Sequence, residues 1–211
     1  MDKLDFGINF FGSKTNKKSF NKILDILQKN INNFKIYLVI AGTDTSQIQG
    51  ISAAGINKNS RRKTALADAE FLLLGPSKDH KYKLPLLNAG VTPALISYVC
   101  SKLISASPIV VPLGIKVKPY FSHLAVEDEF VEPAKCLTTG KSMPRKRVLN
   151  LYKKGIKIGQ STKQPVLIAE SVPGGTTTAQ AIMEAFGLNV SNLVGSSLFK
   201  APRELKRKVI Q

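Results

Sequence analysis

The sequence predicts an α/β layered fold, a mostly parallel sheet flanked by helices and Rossmann-like in plan. Three observations carry this. Short apolar runs of strand length recur at 35–41, 69–74, 108–113 and 165–169. Segments with apolar residues at helical spacing alternate with them. Polar turns close the first and last runs, where the ligands of parallel α/β sheets bind.

Phe20, Ile23, Leu24, Leu27 and Ile31 recur at helical spacing, so residues 17–33 read as an amphipathic helix. Lys-Ile-Tyr-Leu-Val-Ile-Ala at 35–41 reads as a buried strand, followed by the turn Gly42-Thr43-Asp44-Thr45-Ser46. The run at 69–74 is taken as a second strand. Residues 91–105 read as a helix, with Thr92 as N-cap and Pro93 in the first turn. A third strand follows at 108–113. Residues 141–158 contain a helix opened by Ser142 and Pro144. Residues 165–169 form the fourth strand, and the helix at 177–186 is stopped by Gly187. Residues 193–197 read as a loop or short strand, and 202–210 as a helix. There is no internal repeat or low-complexity linker, so 1–211 is read as one nucleotide-binding α/β domain. A helix at this point of an α/β fold normally leads to further strands. The expectation is therefore an incomplete sheet, the N-terminal part of a longer enzyme.

The chain has 211 residues, 43% of them hydrophobic, enough for a substantial core. No run of 18 apolar residues occurs, so no membrane span is expected. The start, Met1-Asp2-Lys3-Leu4-Asp5, lacks the basic and apolar regions of a signal peptide, which points to the cytoplasm. Cys100 and Cys136 have no paired spacing, which speaks against a disulfide framework or a zinc site. Cys100 sits in an apolar stretch and is expected to be a buried small hydrophobe. No metal or cofactor is called for. Net charge is +17, from 31 Lys and Arg against 14 Asp and Glu. The basic residues are spread over many segments, with few aromatics between them and no Trp. That distribution suits solvated surface and small anionic ligands better than a nucleic-acid footprint.

The most informative stretch is Glu170-Ser171-Val172-Pro173-Gly174-Gly175-Thr176-Thr177-Thr178. A strand enters it and a helix leaves it. Glycines let backbone N–H groups approach a ligand, and a helix start carries unpaired donors and partial positive charge. Such a site favours phosphate. Glu170, ending the strand, would lie beside the anion. A capped helix after a tight turn is the plainer reading.

Other motifs fail. Thr138-Thr139-Gly140-Lys141-Ser142 looks like the end of a P-loop, yet position 135 is Lys where that motif needs Gly. Gly140 and Ser142, opening a helix, are kept as a second anion contact. Gly50-Ile51-Ser52-Ala53-Ala54-Gly55 is one residue too long for a nucleophile elbow. His80 and His123 lie in polar loops without triad partners. Gly42-Thr43-Asp44-Thr45 does not match the dinucleotide fingerprint, and Asp44 is at least as well explained as a turn residue.

Glu170 to Gln180 resembles the phosphate loop of nicotinate-nucleotide–dimethylbenzimidazole phosphoribosyltransferases, where a glutamate and small residues precede a Thr-Thr pair opening an alanine-rich helix. Gly140-Lys141-Ser142-Met143 resembles another helix start of that family. Ala41 to Ile48, Gly50 to Gly55, Ala67-Asp68-Ala69-Glu70 and Gly90-Val91-Thr92-Pro93-Ala94 look like its divergent cyanobacterial and archaeal branch. The resemblance covers residues 36–207.

It implies transfer of phosphoribosyl from nicotinate mononucleotide to a lower-ligand base, dimethylbenzimidazole or similar, in cobalamin biosynthesis. Gly174, Gly175, Thr176, Thr177 and Thr178 would cradle the phosphate, and Glu170 would line the nucleotide site as an auxiliary acid. The family is usually homodimeric. Its principal base is a glutamate near the C-terminus, and this chain stops before it. The alternatives are a catalytically inactive nucleotide-binding module and a basic nucleic-acid-binding protein.

Overall fold

A computed structural model describes residues 12–85, 92–128 and 131–211. At its centre is strand β1, Lys35–Ala41, predicted to the residue from its apolar run. It pairs in parallel with β2, Pro108–Leu113, on one side and β3, Val166–Ser171, on the other. Leu38 stands opposite Val110 and Ala169 in this register. Side chains alternate across a sheet, so Leu38, Ile40 and Val110 share one face. All three are buried. The α/β architecture with a parallel sheet is thus as the sequence predicts.

Helix α2, Lys58–Leu74, covers that face with Ala65, Leu66 and Ala69. It starts at a reciprocal cap: Asn57 accepts from the Ser60 N–H, and Ser60 Oγ accepts from the Asn57 N–H. Gly75 ends it with φ of 79°. The strand expected at 69–74 is corrected here, because those residues are the last turns of α2. The run Phe71–Leu74 is too short to distinguish a strand from a buried helix end by period alone. The helix's buried face is built mainly from Ala and Thr, so no stripe of large residues announces it.

Helix α1, Lys14–Lys29, is capped by Ser13, which accepts from the Asn16 N–H. It lies three to four residues N-terminal of the expected span. Helix α3, Pro93–Leu103, begins with the predicted Thr92 cap, while Val91 and Gly90 lie outside the described residues. Helix α4, Arg145–Ser161, starts after Pro144. Helices α5, Gly175–Ala185, and α6, Arg203–Ile210, close the chain, with 193–197 as a loop between them. Cys100 is exposed rather than buried, a second correction: it lines an open cleft beside α3 instead of packing into the core. Edge strand β3 leaves Val166, Leu167 and Ile168 exposed, Ile168 by 76%. Among the described residues no helix is long and apolar enough to cross a membrane, and no group of residues could hold a metal ion.

Fully buried Glu70 on α2 clamps the loop that follows. Its carboxylate accepts the N–H groups of Lys81 and Tyr82 at 2.8 and 2.7 Å. The Tyr120 hydroxyl donates to it as well, and His80 Nδ1 lies 3.2 Å away. Burial pushes the Glu70 carboxyl up, but the bonds from Tyr120, Tyr82, Lys81 and His80 outweigh it and hold it below its ordinary 4.5. The bond to Glu70 pushes the Tyr120 hydroxyl up to about 12.

Because the folded-state pKa is depressed, the clamp stabilises above the ordinary glutamate pKa. That contribution is lost as pH falls through the lower folded value. Glu70→Gln should cost about 1–3 kcal/mol at neutral pH, since an amide cannot accept from all these donors. Thermal melts against pH check this. The gap between variant and wild type should close on acidification, and a gap constant through the carboxylate range would contradict the clamp.

Candidate functional site

The loops after β1 and β3 meet at the carboxyl ends of the strands. Residues Asp44–Gln47, directly after β1, form a 3-10 turn. After β3 the chain turns through Gly174, whose φ of 78° is left-handed, and Gly175 opens α5. A Cβ on Gly174 would lie 3.1 Å from the backbone nitrogen of Ser46. Gly175 N–H donates to Val172 O at 2.7 Å, and Thr177 N–H to Gly174 O at 3.1 Å. Glycine at 174 thus serves both the turn and the close approach.

Two buried cations support this junction. Arg61 on α2 donates from Nε to Ser46 O at 2.6 Å and from Nη1 to Gly55 O at 3.1 Å. Its Nη2 has no protein partner. Lys206 on α6 is fully buried, and its Nζ donates to Thr176 Oγ1 at 3.0 Å and to Gly195 O. Burial lowers the Lys206 pKa from its ordinary 10.5. An ammonium has three donors, and two of them are used in these bonds. Nearby Ser196 is buried with its hydroxyl unpartnered.

A cleft of about 440 Å³ opens from this junction between the sheet, α2 and α3. That volume is within the range of small-molecule sites. Gly174, Gly175, Thr176 and Ser196 line its mouth. Ile36, Leu38, Leu72, Ile104 and Leu167 form an apolar floor. Asp68 lines the cleft as well. Its Oδ2 accepts from Ser171 Oγ at 2.7 Å and its Oδ1 from Thr92 Oγ1 at 3.2 Å. Burial pushes the Asp68 carboxyl above its ordinary 3.8, against the pull of these two hydroxyls.

The expected site residues separate in space. Gly174, Gly175 and Thr176 come to the cleft. Glu170 also borders it, but strand alternation sends Ser171 to the Asp68 side and the Glu170 side chain to the opposite face. There Glu170 Oε1 lies 3.5 Å from where a Cβ on Gly175 would sit. Thr177 is wholly buried with its Oγ1 unpartnered, and Thr178 is half-buried outside the cleft lining.

Gly140 and Ser142 do not open a helix. Gly140 closes the 3-10 turn Leu137–Thr139 with φ of 62°, and Ser142 O accepts from the Lys135 N–H at 2.8 Å. The helix begins only at Arg145, because Pro144 holds extended backbone before it. Neither Gly140 nor Ser142 therefore sits at a helix N-terminus. Asp44 is a turn residue paired with Arg62 at 2.5 Å. His80 belongs to the Glu70 clamp, and His123 Nδ1 faces Phe121 O at 2.8 Å. Sequence reading passed over Arg61, Asp68, Ser196 and Lys206 as site residues. Asp68 was one of two acids in the alanine-rich Ala67-Asp68-Ala69-Glu70, with nothing local to tell it from Glu70, and Lys206 was one basic residue among many.

The chain is similar over nearly its whole length to UPF0284 proteins. One from Prochlorococcus marinus (strain MIT 9215) is 74% identical over 98% of this chain and 54% of its own length. One from Parasynechococcus marenigrum (strain WH8102) is 41% identical over 100% of the chain and 54% of its own. A third, from Gloeothece citriformis (strain PCC 7424), is 36% identical over 88% and 51%. The chain spans about half the length of the curated relatives it matches. Their shared name states a family number rather than a reaction. No protein-family model matches the chain.

Two substitutions separate the roles of neighbouring loop residues. Thr177→Val should change stability by less than about 1 kcal/mol, because it removes a buried hydroxyl that has no partner. It should leave affinity for inorganic phosphate unchanged. Gly174→Ala should cost about 1–2 kcal/mol from its left-handed backbone alone and weaken phosphate binding. Melting curves and phosphate titrations check both, and loss of phosphate affinity in Thr177→Val would place that hydroxyl in the anion site.

Proposed function

We propose that the chain carries the nucleotide-binding half of a phosphoribosyltransferase. The enzyme would move ribose phosphate from nicotinate mononucleotide to a ring nitrogen of a lower-ligand base for cobalamin. The carrying observation is the buried Lys206 ammonium hydrogen-bonded to Thr176 at the glycine-opened start of α5. Burying a cation costs several kcal/mol unless something compensates it. A phosphate at the mouth of the cleft would supply that charge. The helix start and the unpartnered Ser196 hydroxyl would add donors. The motif resemblance at 170–180 supports the same assignment.

In this reading the phosphate is anchored at Thr176 and Lys206, and the ribose extends into the cleft. The bond between C1′ and the nicotinate nitrogen breaks, its electron pair staying on the pyridine ring. A nitrogen of the acceptor bonds to C1′, and the acceptor's ring N–H proton is given up to a carboxylate or to water. This chain's share is to fix the phosphate and shield the ribose.

Calorimetry with nicotinate mononucleotide and with its phosphate-free riboside tests the anchor. Lys206→Met should weaken the nucleotide about 10- to 100-fold, the worth of a hydrogen bond to a charged group. The riboside should be unaffected. Nucleotide affinity in the wild type should fall as pH rises through the lowered Lys206 pKa, because the anion contact needs the protonated amine. Equal nucleotide affinity in variant and wild type would remove Lys206 from the site, and absence of any nucleotide binding would sink the reading.

A further inference from the structure

We propose that the outer edge of β3 docks a β-strand of a second polypeptide, equivalent to the part of the relatives that this chain does not match. The added strand would extend the sheet. The inference goes beyond the transferase reading and stands without it.

The two edges of the sheet differ. Successive residues of a strand turn their backbone groups to alternate sides. Leu113 O accepts from the Gly42 N–H, so on β2 it is Pro108, Val110 and Pro112 that face outward. Both prolines lack an N–H, and the Val110 carbonyl already accepts from the Leu124 N–H at 2.8 Å. That edge is closed. On β3, Pro165 O accepts from the Lys35 N–H, so Val166, Ile168 and Glu170 turn their N–H and C=O groups outward. Among the described residues no backbone group outside the sheet pairs with them. The register with β1 runs without a bulge, and no proline or charge interrupts 166–169. Natural proteins blunt such an edge or cover it.

The side chains agree. Parallel sheets are covered on both faces. Ile168 stands opposite Tyr37, on the face away from Leu38 and α2, and is 76% exposed. Helix α4 reaches that face, where the Tyr37 hydroxyl meets Thr162 Oγ1 at the helix end. On a helix of 3.6 residues per turn, Val148, Leu149, Tyr152 and Ile156 fall within an arc of about 100°. All four are exposed. The half-buried Leu151 and Ile158 lie on another side of α4. An open strand edge and an unused apolar stripe thus share one face of the sheet. Length names the occupant. The Prochlorococcus marinus (strain MIT 9215) relative is 74% identical over 98% of this chain, yet the match takes up 54% of its own length. The rest of such a protein must pack on a surface like this one. A second copy of this chain is the competing occupant, but a two-fold axis would pair β3 antiparallel in a sheet that is otherwise parallel.

The test co-expresses this chain with the unmatched part of that relative as a separate polypeptide, so neither has to fold alone. Light scattering should find an equimolar complex. Hydrogen exchange reads the edge. The amides of Val166, Ile168 and Glu170 should exchange fast in the chain alone and slow by about 10-fold or more in the complex. Those of Leu167 and Ala169 point to β1 and should be protected in both states. Ile168→Lys should weaken the complex about 10- to 100-fold, the worth of one buried aliphatic side chain. Thermal melts check that this exposed position leaves the fold intact. Leu103→Lys, 79% exposed on α3 over the opposite face, should leave the complex unchanged. No complex, a complex in which the outward β3 amides still exchange fast, one indifferent to Ile168→Lys, or a homodimer of this chain paired through β3 would overturn the proposal.

Discussion

The contact between Gly174 and Ser46 is the constraint on which the site depends. It brings the loop after β3 within van der Waals reach of the loop after β1. These strands are neighbours in a parallel sheet, so their carboxyl ends already point the same way. What the contact adds is closeness. A side chain at 174 would separate the loops and would have to adopt a left-handed backbone at the same time. The start of α5 is placed by this junction, because Gly175 directly follows it. The mouth of the cleft is placed with it.

Arg61 and Lys206 hold the two loops of the junction by a shared device. Each is a buried cation whose partners are carbonyl or hydroxyl oxygens rather than carboxylates. Arg61 spends its planar fork on Ser46 and Gly55, fixing the loop that borders the cleft at Ser52, Ala53 and Ala54. Lys206 spends two donors on Thr176 and Gly195. Among the described residues neither cation is paired with a carboxylate.

Asp68 and Glu70 show how one helix serves two sides. They lie two positions apart on α2, and a rotation of about 200° separates them around a helix of 3.6 residues per turn. Asp68 therefore meets β3 and the Thr92 cap, while Glu70 meets the 80–82 loop and Tyr120. The first keeps acceptor positions open toward the cleft. The second accepts from several donors and is closed to solvent. Two acids in similar sequence surroundings, Ala67-Asp68-Ala69-Glu70, thus have different roles, decided by direction alone.

The legible and illegible parts of the molecule follow the same logic. Strands β1 and β2 were readable because continuous apolar runs of six or seven residues, bounded by polar turns, have few alternatives. The Thr92 cap was readable because a hydroxyl before Pro is a local signal. Helix α2 was missed and its last turns taken for a strand, because its buried face is made of small residues and its apolar end is shorter than two turns. Gly174, Gly175 and Thr176, singled out in the sequence, do line the cleft, because glycine geometry is local and visible in order of sequence. Asp68 and Lys206 were not, since their meaning lies in partners at other points of the chain. Asp68 meets Ser171 across 103 positions, and Lys206 meets Thr176 across 30. No periodicity encodes such pairings. They arise only once β1 is flanked by β2 and β3 and the two loops close on Gly174, so a contact between backbones decides which side chains can reach a ligand.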